Sequence, residues 1–296
     1  MEAILKAENV ERRFGRARAL DGLSFSVPQG AVVGLLGRNG AGKSTLLRIV
    51  SGQLRQSGGE VLLADEKVFD NARALGRLCL IGDTPDFGGL GRAKDLAYVC
   101  AGLFPGWNAE YFSALLERFE LPDKKLKSYS RGMQTSVMLA VGLASGAALT
   151  VFDEPSLGLD AVMRERFYDL LLDEKKRSPE RTFLLSTHLI DEVARALDAA
   201  VLIDAGKLLC EGTVSELTGG YLSVSGDTDA VRELTSGLTL LKEEEAAGTL
   251  IRHVKLNSPA DRERIEGDAR VRTAPVGLQR LFVFLTEQEE AHRHAE

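Results

Sequence analysis

Positive charge is the first thing this chain lacks. Across 296 residues, 37 Lys and Arg face 43 Asp and Glu, a net charge of −6. A protein that holds nucleic acid by neutralising phosphates needs the reverse balance, so no nucleic-acid partner is expected. Cysteine is scarce: Cys79, Cys100 and Cys210 form no C-x-x-C pair and no metal-ligand spacing. That excludes a disulfide scaffold and a thiolate metal centre, and it fits a reducing cytoplasm. Long apolar runs are missing too, none approaching the ~18 residues of a membrane span. The segment Met1 to Lys6 carries no basic-then-apolar leader. The expectation is a chain soluble by itself and cytoplasmic, meeting the inner face of a membrane only through a partner. Heptads, internal repeats and low-complexity tracts are also absent, which removes coiled-coil and solenoid architectures.

What is present suffices for a packed core. Hydrophobic residues make up 44%, and the length suits one large α/β domain with a small companion. Short and alternating apolar runs fill residues 3–37, predicting a small antiparallel sheet. Glu60-Val61-Leu62-Leu63 and Leu78-Cys79-Leu80-Ile81 read as further strands. From about 92 to 146 the period turns helical. Leu96, Val99 and Leu103 form one apolar stripe, Tyr111, Leu115, Leu116 and Phe119 another, with Pro105-Gly106 between them. Strands return at Leu149-Thr150-Val151-Phe152, Phe183-Leu184-Leu185 and Val201-Leu202-Ile203, separated by helical patterns around 161–177 and 189–197. This alternation implies a parallel, doubly wound sheet with a helical insert at about 87–148. Gly219-Gly220 marks the expected boundary, giving domains 1–218 and 219–296. In the second, Leu222-Ser223-Val224 and Val254-Lys255-Leu256 alternate like strands. Glu243-Glu244-Glu245 reads as a solvated turn or helix end, and Leu278 to Leu285 is apolar enough to pack. A small α+β appendage is expected there, carrying fifteen acidic against ten basic residues from Ser215 onward.

The chemistry concentrates in Gly37-Arg38-Asn39-Gly40-Ala41-Gly42-Lys43-Ser44-Thr45, which satisfies the phosphate-loop pattern G-x-x-x-x-G-K-[ST]. The apolar run Val32-Val33-Gly34-Leu35-Leu36 leads in, and the helical pattern from Thr45 leads out. A loop between strand and helix directs backbone N–H groups and a helix N-terminus at an anion. Lys43 would reach the β- and γ-phosphates of a nucleoside triphosphate, and the Ser44 hydroxyl would ligate Mg²⁺. Leu149-Thr150-Val151-Phe152-Asp153-Glu154 is an apolar strand ending in two carboxylates. Asp153 would hold Mg²⁺ through water, and Glu154 would polarise the attacking water.

With these residues the sequence resembles the ATP-binding-cassette (ABC) family over about residues 3–218. Tyr129-Ser130-Arg131-Gly132-Met133-Gln134 is similar to the family signature, although Arg131 and Met133 replace its commoner Gly and Gln. Pro155-Ser156-Leu157-Gly158-Leu159-Asp160 resembles the loop after the second Walker motif, and Ser186-Thr187-His188 the switch-histidine motif. No guanine-specific N-K-x-D motif is present. The resemblance implies a P-loop ATPase core with ATP and Mg²⁺ as cofactors, and an antiparallel N-terminal subdomain. It also implies two cassettes, as homodimer or heterodimer, that sandwich two ATP molecules head to tail. Ser130 and Gly132 would grip the γ-phosphate bound by the opposite subunit, Asp160 would lie in the interface, and His188 would contact γ-phosphate and lytic water. Phe14 falls where the family stacks an aromatic on adenine. Asp86, in Leu80-Ile81-Gly82-Asp83-Thr84-Pro85-Asp86, falls where the family carries a metal-contacting Gln. Phe104-Pro105-Gly106-Trp107-Asn108 resembles a bacterial subgroup of small exporter-type cassettes.

The expectation is the ATP-hydrolysing subunit of a transporter, working with a separate integral-membrane permease. Two alternatives stay open. One is a soluble cassette ATPase acting on ribosomes or chromosomes, disfavoured by the single cassette and the acidic balance. The other is a regulatory cassette that binds ATP with little hydrolysis, disfavoured by the joint presence of Lys43, Asp153, Glu154 and His188.

Overall fold

A computed structural model describes residues 2–85, 87–246 and 248–295. The chain divides into two compact units, Met1–Glu211 and Gly212–Glu296.

The first unit opens with β1 (Ala3–Phe14), β2 (Ala17–Pro28) and β3 (Val32–Leu36), followed by α1 (Lys43–Val50), β4 (Gly58–Leu63) and β5 (Glu66–Lys67). After α2 (Ala72–Leu75) and β6 (Leu78–Ile81), the chain enters the helical segment: α3 (Ala93–Leu103), α4 (Ala109–Arg118) and α5 (Arg131–Ala144). It returns through β7 (Leu149–Asp153), α6 (Ala161–Arg177), β8 (Thr182–Thr187), α7 (Ile190–Val193), β9 (Ala199–Asp204) and β10 (Lys207–Thr213). Two sheets result. One is antiparallel with order β2-β1-β4-β5, and the other is six-stranded with order β10-β9-β3-β8-β7-β6. Within the latter, β9, β3, β8, β7 and β6 run parallel. Parallel strands covered on both faces read as continuous apolar runs, and β3, β8 and β9 are buried at every position.

The register places the chemistry. Leu36 pairs with Thr187, and Ser186 pairs with Asp153. The carboxyl ends of β3, β8 and β7 therefore lie side by side, about 4.8 Å apart. Open α/β sheets bind ligands at that edge.

Two local expectations change. On α3 the buried residues are Leu96 and Cys100, while Val99 and Leu103 are exposed; four-residue spacing sets the covered face here. The predicted helix at 189–197 shrinks to α7 and a 3₁₀ turn at Ala194–Ala196. Trp107 packs on Phe112 with ring centroids 5.1 Å apart, filling the start of α4, where Asn108 accepts from Tyr111 N–H.

The second unit contains α8 (Val214–Gly219), β11 (Tyr221–Gly226), α9 (Thr228–Leu234), β12 (Thr239–Ala246), β13 (Thr249–Lys255), α10 (Pro259–Glu266), β14 (Val271–Pro275) and α11 (Leu278–Ala295). It begins earlier than Gly219-Gly220 suggests, because α8 packs against α11. The antiparallel order β12-β13-β11-β14 with connectivity β-α-β-β-α-β is the ferredoxin-like arrangement. One sheet face, Leu222, Val224, Leu250 and Val254, packs with Val231 and Leu234 of α9 and Ile265 of α10. Glu243, Glu244 and Glu245 are not in a turn. They lie in edge strand β12, where Glu243 pairs with Arg252 at 2.6 Å and Glu244 with Arg280 at 3.4 Å. Charged side chains on an edge strand also discourage pairing with foreign strands.

His253 of β13 is fully buried, 2.7 Å from Ser223 Oγ through Nδ1 and 5.0 Å from the Phe284 ring of α11. Burial lowers its pKa, Arg280 and Lys242 add to this, and Glu244 opposes it. Unfolding therefore takes up a proton at mildly acidic pH. The contribution of neutral His253 is present above about 6.5 and is lost as pH falls from there toward the lowered folded value, by up to about 1.4 kcal/mol per unit. Hydrogen exchange of the intact chain should show residues 221–255 losing protection between pH 7.5 and 5.5, and losing less in His253→Phe. An equal loss in both proteins would assign the effect to other groups.

Candidate functional site

Gly37 to Gly42 connect β3 to α1 at the carboxyl edge of the sheet. Gly42 forms the helix N-cap with φ of 104°, a conformation that L side chains resist. A Cβ there would also meet Ala19 O and Leu20 Cδ2 at 2.8 Å. The loop thus turns tightly and leaves the first amides of α1 facing outward.

Lys43 is 6% exposed. Its ammonium donates to the carbonyls of Gly37 at 2.7 Å and Arg38 at 3.3 Å, and lies 3.7 Å from Glu154 Oε1. Burial lowers its pKa, while Glu154 and Asp153 hold it up. The cation is therefore held on the loop's own carbonyls.

The two strand-end carboxylates differ. Burial raises the pKa of Asp153, Ser186 opposes with a hydrogen bond to Oδ1 at 2.7 Å, and Glu154 and Asp83 raise it further. The Ser44 hydroxyl also works to lower it. Glu154, with φ of 48°, has left strand geometry for the left-handed region, a strain of order 1–3 kcal/mol that such sites store. Its N–H donates to Ser186 O at 2.7 Å. Its carboxylate accepts from Thr187 Oγ at 3.0 Å and meets His188 Nδ1 at 2.9 Å. Glu154 is thus the hub joining Lys43, Thr187 and His188.

Lys43, Glu154 and His188 line one cavity of about 430 Å³, together with Asn39, Gly40, Ser44, Thr45, Ala19, Leu157 and Asp83; Asp153 ends β7 next to Glu154 and is not part of that lining. Ala41 is buried beneath the loop, where its carbonyl accepts from Gly206 N–H at 3.0 Å. Asp83, on the loop after β6, was missed by the sequence reading because no motif marks it. Among the described residues, no three His, Cys, Asp or Glu side chains form a metal-holding group.

A second cavity, of about 510 Å³, is lined by Ser130, Arg131, Gly132, Gly158, Leu159 and Asp160 among others, and shares no lining residue with the first. Ser130 caps α5 by accepting from Met133 N–H, and Asp160 caps α6 by accepting from Met163 N–H at 2.9 Å. A Cβ at Gly132 would lie 2.7 Å from Gly158 O, so glycine permits this close approach. At its far end α5 is fixed by buried Arg181, which donates to the carbonyls of Gly142, Leu143 and Ala147 and pairs with buried Glu174 at 2.5 Å. A cation there complements the helix dipole.

The structure does not place Phe14 in the phosphate-loop cavity. It stands 47% exposed at the end of β1, with the Arg12 guanidinium 4.6 Å from its ring centroid. Asp86 lies outside the described residues.

Comparison with known proteins agrees with this geometry. The family model described as "ABC transporter" matches residues 20–157. The daunorubicin resistance ATP-binding protein of Streptomyces coeruleorubidus is 34% identical, covering 74% of this chain and 72% of its own. The Nod factor export ATP-binding protein I of Burkholderia lata is 32% identical over 95% of this chain and 96% of its own. Among solved structures, an ATP-binding subunit of an ABC transporter superposes with TM-score 0.65 at 24% identity, covering 72% of this chain and 91% of that one. A nucleotide-free ATP-binding cassette gives 0.60 at 26% identity, covering 72% and 92%.

Proposed function

The chain belongs to the ABC transporter ATP-binding proteins, and we propose that it is the ATP-hydrolysing subunit driving a separate membrane-spanning permease in the direction of export. One observation carries the reading. The phosphate loop, Glu154 and His188 line a single cavity at the adjacent carboxyl ends of β3, β7 and β8, and Asp153 stands beside Glu154 at the end of β7. ATP phosphates would take over the Lys43 ammonium from the Gly37 and Arg38 carbonyls and accept the α1 amides. Hard oxygen donors suit Mg²⁺. The Ser44 hydroxyl, which lines the cavity, fits such a cation, with the Asp153 carboxylate at the end of β7 as a further oxygen donor. When bound, Mg²⁺ would neutralise charge on the phosphates. Glu154 would take the proton of the attacking water, and His188, held through Nδ1 by Glu154, would present its other nitrogen toward the γ-phosphate.

Ser130 and Gly132 sit in a cavity separate from the phosphate loop of their own chain. They fit the grip on a nucleotide held by a second cassette, with Asp160 in the interface. Phe14, half-exposed at the end of β1, would stack on adenine. Among the described residues no helix is long and apolar enough to cross a membrane, which motivates the separate permease and a peripheral position on the cytoplasmic face. Export follows the relatives, whose names describe export and drug resistance.

Affinity isolation from native membranes, with an ATPase assay on the eluate, tests the reading. Co-elution of an integral-membrane subunit that raises Mg·ATP turnover is expected. Co-sedimentation with ribosomes and no membrane partner would overturn it in favour of a soluble cassette ATPase.

A further inference from the structure

Asp83 stands in the cavity without a task. It lies on the loop after β6, facing the space bounded by Lys43, Ser44, Glu154 and His188. Its charge also bears on Asp153. Two carboxylates, Asp83 and Glu154, therefore line the place where a polyphosphate would sit, with Asp153 next to Glu154 in sequence and within reach of the Asp83 charge. Lys43 and Arg38 are the cations there, and Lys43 is already engaged by Glu154. A triphosphate bringing about four negative charges would meet repulsion that low local dielectric strengthens. Among the described residues no three His, Cys, Asp or Glu side chains form a metal-holding group. A divalent cation arriving with the nucleotide would offset the charge of the carboxylates.

We propose that Asp83 is a positioning and specificity-determining residue that makes nucleotide binding depend on the metal, by rejecting metal-free ATP and orienting the water shell of the divalent cation held at Ser44. This rests on the reading of the cavity as the nucleotide site. An exposed carboxylate on a loop can accept from metal-bound water without entering the coordination sphere. Outer groups of this kind typically change metal affinity by about 10- to 100-fold.

The test compares affinities of the intact chain for ATP in EDTA and for Mn·ATP, by calorimetry, with Mn²⁺ followed by electron paramagnetic resonance. Wild type should favour Mn·ATP strongly. Asp83→Asn should bind Mn²⁺ about tenfold more weakly in the ternary complex, yet bind metal-free ATP more tightly. Asp83→Glu should restore the wild-type preference. A purely structural role would weaken both forms together, and that result, or an unchanged ratio, overturns the inference. Failure of wild type to bind either form would instead overturn the nucleotide-site reading.

Discussion

Lys43→Ala is expected to remove ATP binding without unfolding the chain. The ammonium is buried against two backbone carbonyls and one carboxylate. Among the described residues no other lysine lines the cavity, and Arg38 is exposed at its rim. Charge-assisted hydrogen bonds contribute about 1.5–3 kcal/mol each. Losing two to the β- and γ-phosphates should weaken affinity by at least about 100-fold. Stability should respond little. The cation's own desolvation already works against it, lowering its pKa, and water in the cavity can satisfy Gly37 O and Glu154 after truncation. Calorimetric titration of Mg·ATP, run beside a thermal melt, separates the two effects. Wild-type-like affinity would sink the assignment of this loop. A collapsed melting temperature would mean that Lys43 is first of all a structural brace.

The phosphate loop, Asp153, Glu154 and His188 were legible because each sits where an apolar strand stops, a pattern local in sequence. Their convergence was not, since it depends on strand order β3-β8-β7, which joins segments more than 100 residues apart. Asp83 was invisible for a related reason. A lone carboxylate in a loop acquires meaning only from the cavity it faces. Phe14 is legible only as a position: it ends β1 half-exposed, with Arg12 against its ring, and its stacking role depends on a ligand that the sequence pattern does not place.

In the second unit the strands Leu222-Ser223-Val224 and Val254-Lys255-Leu256 announced themselves by alternation, and α11 by its apolar run. The ferredoxin-like order was hidden because β12 reads as a charge run. Glu243 and Glu244 pair with Arg252 on β13 and Arg280 on α11, residues that local pattern cannot pair with them. The buried His253–Ser223 contact was likewise hidden, since a single histidine in an alternating segment carries no sign of its depth.

Glu154→Gln should preserve ATP affinity and suppress hydrolysis. The amide keeps the shape of the side chain and an oxygen that can accept from Thr187 Oγ, now bonded at 3.0 Å. The left-handed backbone at residue 154 and its N–H bond to Ser186 O do not involve the carboxylate, so the strand end should hold its form. What disappears is the negative charge that faces Lys43 at 3.7 Å and orients His188 at 2.9 Å. A neutral amide cannot take a proton from water, and general-base contributions run to about 10²–10⁴-fold. Turnover should fall by that range. Removing an anion beside the phosphates should leave affinity equal or greater, and Lys43, released from its carboxylate partner, becomes more available to the ligand. Without hydrolysis the ATP-bound form should accumulate as a dimer, visible by gel filtration in Mg·ATP. A monomer at every concentration would count against the two-cassette sandwich, while unimpaired turnover would remove Glu154 from the reaction and leave it as the residue that merely orders His188.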